Sequence, residues 1–195
     1  MKMKEMIGFI AIALGIIGSI PYIYDILKGK TKPHLFSNLI WAIVTTIAFF
    51  GQTAAGGGPG AWTTGVMAII TILILMLCFK YGTKDITTLD IVFLIVGLIS
   101  IIPWYLTKDP TVSVVIATVI DVCGFFPTIR KTIKAPMTET LSTWVLNLVR
   151  HGLALFALTT FVTATFIYPL ALFFMNIIVV YVIITGKNKQ KHLLS

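Results

Sequence analysis

The stretch Gly18-Ser-Ile-Pro21-Tyr-Ile23, which runs on to Lys28, returns later in the chain as Gly124-Phe-Phe-Pro127-Thr-Ile129, which runs on to Lys134. In both places a long apolar run ends in a basic loop. A proline at the same point of two similar apolar runs is typical of an internal duplication. The rest of the chain is therefore expected to repeat with a similar offset.

The distance between corresponding residues supports this interpretation. It is 106 residues at the two prolines (127 minus 21), and it falls to 105 and then 104 at two later pairs, Ser37 with Ser142 and Gly82 with Gly186. A slowly drifting offset is expected of a duplicated unit that has short gaps in its loops. The sequence therefore predicts two similar halves.

The composition predicts an all-α integral membrane protein. The chain has 195 residues, of which 57% are hydrophobic and only 11% are charged, and its mean hydropathy is +0.98. A soluble domain of this size could not bury so much apolar surface. Because a helix needs about 20 residues to cross the hydrocarbon core, we predict seven transmembrane helices, at residues 5–27, 33–53, 60–80, 87–106, 111–133, 138–160 and 164–185.

The predicted helices form a 3+1+3 pattern. Residues 1–84 hold the first three-helix repeat, residues 85–108 a linker helix, and residues 109–195 the second three-helix repeat with a short basic tail. Because four spans separate equivalent helices, these helices run in the same direction, as in parallel repeats related by an axis along the membrane normal. Two such bundles commonly enclose a site near the bilayer midplane.

The positive charges predict the orientation. Alternate loops place three lysines on one side, Lys2, Lys4 and Lys108, and eleven basic residues on the other, namely Lys28, Lys30, Lys32, Lys80, Lys84, Arg130, Lys131, Lys134, Lys187, Lys189 and Lys191. By the positive-inside rule, the amino terminus lies outside the cell membrane and the carboxyl terminus in the cytoplasm, which requires an odd number of spans. This distribution accounts for the net charge of +8 without nucleic acid as a partner.

Three ionisable residues lie deep in predicted spans: Asp121, Arg150 and His151. A lone charge at the bilayer centre costs about 2.5 to 3.5 kcal/mol on insertion scales, so these side chains are expected to face the bundle interior and to find partners there. We predict an ion pair between Asp121 and Arg150, and its role as a substrate site or as a purely structural bridge stays open. For His151, a neutral hydrogen-bonded side chain and a proton carrier are both open.

Helical spacing groups further residues with these three. Asn147 shares a helix face with Arg150 and His151, and Trp41 shares one with Gln52. Aromatic walls with a few polar groups are typical of small-molecule sites. The predicted substrate-binding residues are therefore Asp121, Asn147, Arg150, His151, Asn176, Trp41 and Gln52.

Prolines inside predicted spans are candidate hinges. Proline removes a backbone donor and pushes against the carbonyl four residues earlier, which bends or softens a helix. We predict hinges at Pro21, Pro127 and Pro169. A fixed bend with no part in gating is the alternative at each position.

The duplicated motif resembles the PQ-loop superfamily, which includes the SWEET sugar transporters and lysosomal amino-acid exporters. In that pattern a proline is followed by glutamine, a basic loop and then a serine, and here Tyr22 and Thr128 stand in the glutamine positions. The resemblance implies that Asn176 is a substrate-binding asparagine of the third helix of a repeat. Residues 49–62 and 121–131 also resemble a family of small bacterial membrane proteins.

The function expected from these features is transport of a small polar or charged solute by alternating access, with an amino acid or another zwitterion as a candidate substrate and proton coupling left open. A membrane receptor or assembly factor resembling the KDEL receptors is the alternative, and a sugar uniporter is a further one. An enzyme is not expected, since Asp121 is the only deep carboxylate, and no metal or cofactor is expected. The expected partners are the lipid bilayer and the solute, and a homo-oligomer is left open.

Overall fold

A computed structural model describes residues 2–31, 33, 35–82, 88–99, 102, 106, 108–134 and 136–194, and no β-strand occurs among them. The helices are α1 (Met3–Leu27), α2 (Leu35–Ala54), α3 (Pro59–Tyr81), α4 (Thr88–Ile99), α5 (Pro110–Lys134), α6 (Leu141–Ala157) and α7 (Thr163–Leu194), with a short 3₁₀ helix at Pro136–Thr138. The predicted all-α class is confirmed.

The helix surfaces identify a membrane protein. Helices α1 and α3 and the Thr163–Lys189 part of α7 are long and apolar enough to cross a bilayer, and α5 contains a shorter apolar segment, Pro110–Phe126. Large apolar side chains cover the outside of the bundle, among them Phe9, Ile17, Ile20, Ile69, Met76, Phe79, Phe126, Phe156 and Phe174. Such a continuous apolar exterior suits lipid as the surrounding solvent.

Helices α1–α3, which precede α4 in the chain, are called the first group here, and α5–α7, which follow it, the second group. In the first group α3 lies against both α1 and α2, and in the second α7 lies against both α5 and α6. Between the groups, α1 packs on α6 and α2 packs on α5. Helix α4 contacts α2 and α5.

Contacts at one end of the bundle give the helix directions. We call this the N-terminal end because α1 begins there. Gly8 of α1 lies against Pro59 at the start of α3, and the Lys4 ammonium donates to the Leu158 carbonyl just after α6, at 2.6 Å. Likewise Gly51 near the end of α2 lies against Pro110 at the start of α5. Helices α1, α3 and α5 therefore run in one direction, and α2 and α6 run in the other.

Helix α7 runs in the same direction as α1, α3 and α5. The Gln52 side chain near the end of α2 donates to the Thr165 carbonyl at the start of α7, at 3.3 Å. At the opposite end of the bundle, Gly186 of α7 lies against Pro136, just after α5. Helices α5 and α7 thus run side by side in parallel.

The turn between α2 and α3 is joined to the connection between α6 and α7. Gly56 and Gly58 adopt positive φ angles of 76° and 60°, which glycine tolerates because it lacks a Cβ. The resulting turn presents the Gly56 carbonyl to the Thr159 hydroxyl at 2.6 Å and the Gly57 carbonyl to the Thr159 N–H at 3.3 Å. These bonds link the two groups of helices at the N-terminal end.

Helix boundaries depart from the predicted ones where local chemistry stops the helix. The predicted span 138–160 is too long for α6 at both ends, because the Pro136–Thr138 turn precedes it and the chain leaves the helix at Leu158. Helix α5 begins with Pro110 after Asp109, whose carboxylate accepts the Thr111 N–H at 2.8 Å. This cap lowers the pKa of Asp109 and is a common helix start.

Several sequence features lie outside the described residues. They include Lys32, His34, Lys84, Pro103 and Trp104, and also the side chains of Asp90, Pro127, Arg130 and Lys131. For the linker helix, predicted over 87–106, the described helix is Thr88–Ile99.

Close packing of α3 on α6 gives a stability prediction. A Cβ at Gly60 would stand 2.7 Å from the Ala154 carbonyl oxygen and 2.6 Å from Leu158 Cδ2. Backbone cannot move aside cheaply, so Gly60→Ala is expected to destabilise the protein by about 1–3 kcal/mol, as overpacking does. The measurement is the apparent melting temperature in detergent.

Gly152→Ala is the matched control for Gly60→Ala. Its new Cβ meets only the edge of the Phe173 ring, at 3.3 Å, so its melting temperature is expected to stay close to that of the unmodified protein. Equal melting temperatures for the two variants would contradict the close approach of α3 and α6.

Candidate functional site

A chain of hydrogen bonds joins three helices at Asp121. The Tyr168 hydroxyl of α7 donates to Oδ2 of Asp121 on α5 at 2.6 Å. Because that proton is used, the Thr45 hydroxyl of α2, 3.0 Å from the Tyr168 oxygen, is the donor in the second bond. All three side chains are buried. The carboxylate is thus held by a charge-assisted bond, the strong kind in an apolar interior.

Arg150 belongs to a second polar cluster, which lies on α6. Its Nη2 is 3.0 Å from Nε2 of His151, and its Nε is 3.4 Å from the Asn147 side-chain oxygen. A guanidinium can only donate, so Nε2 of His151 must accept. The proton of His151 then sits on Nδ1, which donates to the Asn147 carbonyl at 2.9 Å. His151 is therefore neutral, in the Nδ1–H tautomer.

Helix α1 leaves space for the Arg150 side chain. A Cβ at Gly15 would stand 2.7 Å from Cδ of Arg150 and 2.9 Å from the sulfur of Met67 on α3. The absence of a side chain at Gly15 thus leaves room for both the arginine stem and the Met67 thioether.

Asp121 and Arg150 do not form the ion pair that the sequence predicted. Among the described residues, Asp121 bonds to Tyr168 and Arg150 bonds to Asn147 and His151. The prediction of a direct ion pair was wrong, because each charge has a nearer polar partner that the charge pattern does not reveal.

Both charges lie well inside the bundle. At a rise of about 1.5 Å per residue, Asp121 lies about 16 Å along α5 from the N-terminal end, and Arg150 lies about 10 Å from the same end of α6. The exposed fractions of the two side chains are 4% and 6%. Side chains with a full charge are seldom buried so deeply unless something pairs with them.

Aromatic rings surround the next turn of α5, on the side away from the N-terminal end of the bundle. Phe125, one turn after Asp121, packs between Trp41 of α2 and Trp144 of α6, with ring centroids 6.2 Å and 5.9 Å away. The indole nitrogen of Trp41 lies against Gly124, and within the described residues it has no hydrogen-bond partner. Trp41 thus lies close to the helix that carries Asp121.

Gln52 and Asn176 lie elsewhere in the interior. Gln52, fully buried, bonds to Thr165 nearer the N-terminal end of the bundle. The Asn176 amide donates to the Leu172 carbonyl of its own helix at 2.7 Å. The side-chain oxygens of both residues have no partner in the described part of the chain. Within the described part of the chain, neither residue shares a hydrogen bond with Asp121 or Arg150.

The candidate hinges lie inside continuous helices. Pro21 is within α1 and Pro169 is within α7, directly after Tyr168. The backbone at Pro127 is helical as part of α5. Their function as hinges stays a prediction.

Sequence reasoning missed Tyr168 and Gly15. Tyrosine is common in membrane helices, and nothing local marks Tyr168 as a partner of a residue 47 positions away. The structure shows that Tyr168, Leu172, Met175 and Val179 follow helical spacing and are all buried, so Tyr168 lies on the inward face of α7.

Metal binding finds no support in the described residues, among which no group of three or more His, Cys, Asp or Glu side chains could hold an ion. Cys78 and Cys123 are free thiols. The chemistry of the site is thus that of one acid, one guanidinium and their hydrogen-bond partners.

The Asp121–Tyr168 bond gives a second prediction. Tyr168→Phe leaves a buried carboxylate without its donor, which costs about 1–3 kcal/mol. In an Asp121→Asn background the same change is expected to cost less, with a coupling energy of at least about 0.5 kcal/mol. Apparent melting temperatures of the two single variants and the double variant measure this coupling.

Tyr181→Phe is the control for this cycle, because Tyr181 lies on the same helix and its side chain is 67% exposed. It is expected to leave the melting temperature unchanged. Strictly additive effects of Tyr168→Phe and Asp121→Asn would show that the two side chains do not interact.

Comparisons with known proteins found no relative of this chain. No protein-family model matches the chain, and neither the curated proteins nor the solved structures contain a significant match.

Proposed function

We propose that this protein is a membrane transporter that moves a small polar or charged solute by alternating access between two three-helix repeats. The observation that carries the proposal is the pair of buried charges, Asp121 and Arg150, which are held apart by separate partners inside an apolar bundle. Ionisable residues at such depth usually mark a solute pathway.

Equivalent contacts support the repeat. Gly18 of α1 lies against Leu146 of α6, and Gly124 of α5 lies against Trp41 of α2. The glycines differ by 106 positions (124 minus 18) and their partners by 105 (146 minus 41). These are the offsets of the duplicated motif, so one helix contact occurs in both places. Such a pattern is expected of two units related by a two-fold axis.

A second pair of contacts agrees with the first. Gly82 at the end of α3 lies against Pro33, and Gly186 of α7 lies against Pro136. Each contact joins the third helix of a unit to the loop before its second helix. With the parallel directions of α1 and α5, this supports the 3+1+3 arrangement, with α4 as the linker and seven spans in total.

The two charges occupy corresponding interfaces in this arrangement. The duplication offset relates Asp121 to Gly15 and Arg150 to Thr45. Asp121 and Thr45 share the Tyr168 hydroxyl between α5 and α2, whereas Arg150 lies on Gly15 between α6 and α1. Both charges belong to the second unit and each lies at an interface with the first, so a rocking motion of one unit against the other would change the surroundings of both, as alternating access needs.

The N-terminal end of the bundle, which we propose as the outer end from the charge distribution, is closed by contacts between the units. Thr159 bonds to Gly56 and Gly57, and Lys4 bonds to the Leu158 carbonyl. We infer that these bonds break when the site opens outward. Pro21, Pro127 and Pro169 are the proposed hinges for that motion.

Solute counterflow in proteoliposomes tests the proposal. A thermal-shift screen of amino acids, nucleosides and hexoses identifies a solute, and its radiolabelled form is then followed into vesicles preloaded with the same solute. Asp121→Asn and Arg150→Gln are each expected to reduce counterflow at least about tenfold, because each removes a charge-assisted contact.

Asp109→Asn is the matched control for Asp121→Asn. It makes the same chemical change at the exposed start of α5, where asparagine caps a helix as well as aspartate does, so counterflow is expected to persist. Solute binding without counterflow in any vesicle would favour the alternative, a receptor or assembly factor. A neutral hexose transported equally well by Asp121→Asn would favour the sugar uniporter.

A further inference from the structure

Arg150 retains donors that no group of the described protein accepts. A guanidinium carries N–H groups on Nε, Nη1 and Nη2. Here Nε donates toward Asn147 and one Nη2 proton goes to His151. Nη1 and the second Nη2 proton donate to no described group, and the contacts of Arg150 within the described residues include no carboxylate. A buried cation in this condition lacks the anion that normally accompanies it.

The histidine explains why Asp121 does not supply that anion. Nε2 of His151 holds Nη2 of Arg150 at 3.0 Å, and the Nδ1–H of the same ring is fixed on the Asn147 carbonyl. One nitrogen of the His151 ring thus bonds to the α6 backbone, and the other holds the Arg150 guanidinium. Tyr168 meanwhile occupies Oδ2 of Asp121. Two separate anchors keep the opposite charges from collapsing onto each other.

We propose that Arg150 binds a carboxylate group of a solute through its free N–H groups, and that His151 is the positioning residue that keeps this guanidinium away from Asp121. The inference rests on the proposed function only for the statement that the solute is then carried across the membrane. The fork of a guanidinium matches a carboxylate in a bidentate manner, and the aromatic cluster of Trp41, Phe125 and Trp144 offers an apolar wall near the Asp121 turn.

The surroundings favour an anion at this point. Gly15 of α1, which lies against both Arg150 and Met67 of α3, carries no charge, and neither does Met67. The deep carboxylate of the described bundle, Asp121, is already bonded to Tyr168. A solute carboxylate would therefore satisfy Arg150 without displacing any bond described above.

Two conservative variants of His151 separate its possible roles. The longer glutamine side chain of His151→Gln can place an acceptor where Nε2 stands, whereas the shorter asparagine side chain of His151→Asn can replace only the Nδ1 donor. The probe is sodium acetate, titrated against the detergent-purified protein at constant ionic strength with sodium chloride, and the readout is the rise in melting temperature. This readout needs no transport.

Acetate is expected to stabilise the unmodified protein and His151→Gln with similar half-maximal concentrations. For His151→Asn and for Arg150→Lys, the half-maximal concentration is expected to rise about tenfold or more, since each loses the oriented bidentate fork. If His151→Asn does not fold, Arg150→Lys, which does not depend on the histidine acceptor, provides the same comparison.

Several results would overturn the inference. They are the absence of acetate stabilisation in the unmodified protein, equal stabilisation of Arg150→Gln, and undiminished acetate affinity in both His151→Asn and Arg150→Lys. Failure of the transporter proposal gives a different result: acetate binds with the expected dependence on Arg150, and no solute shows counterflow. Counterflow that is insensitive to Arg150 variants would refute the carboxylate site and leave transport intact.

Discussion

A charged side chain inside an apolar bundle must be satisfied by the protein itself, because lipid offers neither donor nor acceptor. Asp121 meets this requirement through Tyr168, which in turn accepts from Thr45. One carboxylate thus fixes the relative positions of α5, α7 and α2. The hydrogen bonds of Arg150 with His151 and Asn147, by contrast, stay within α6. At the candidate site, the Asp121 network therefore joins helices, whereas the Arg150 network orients a side chain within one helix.

Glycines leave the space that buried side chains of neighbouring helices occupy. Gly15 admits the arginine stem, and Gly124 admits the indole of Trp41. In a membrane, helices gain little from hydrophobic association, so close backbone approach and interhelical hydrogen bonds contribute much of the packing energy. The same glycines that bring the helices together therefore also determine where the polar side chains can lie. Packing and the candidate site cannot be changed independently.

Sequence periodicity and composition predicted the helical class and most helix positions, since long apolar runs have few other solutions in a bilayer. They also identified Asp121 and Arg150, because buried charges are rare. They failed on the partners: opposite sign suggested an ion pair, whereas the actual partner of Asp121 is Tyr168. Which residues face each other across two helices depends on how each helix is rotated about its own axis. Helical spacing gives the face of a single helix but not the facing residue on another.

In the proposed duplication Asp121 corresponds to Gly15, which gives a reason for the two proposed units to share one polypeptide. In an assembly of two identical chains, an aspartate at this position would occur twice around the axis, and the two carboxylates would repel each other. A fused chain can mutate one copy alone. It can thus place a negative group, Asp121, at one of the two equivalent interfaces and a positive group, Arg150, at the other, and so build an electric dipole across the proposed symmetry axis that a homodimer is forbidden to have.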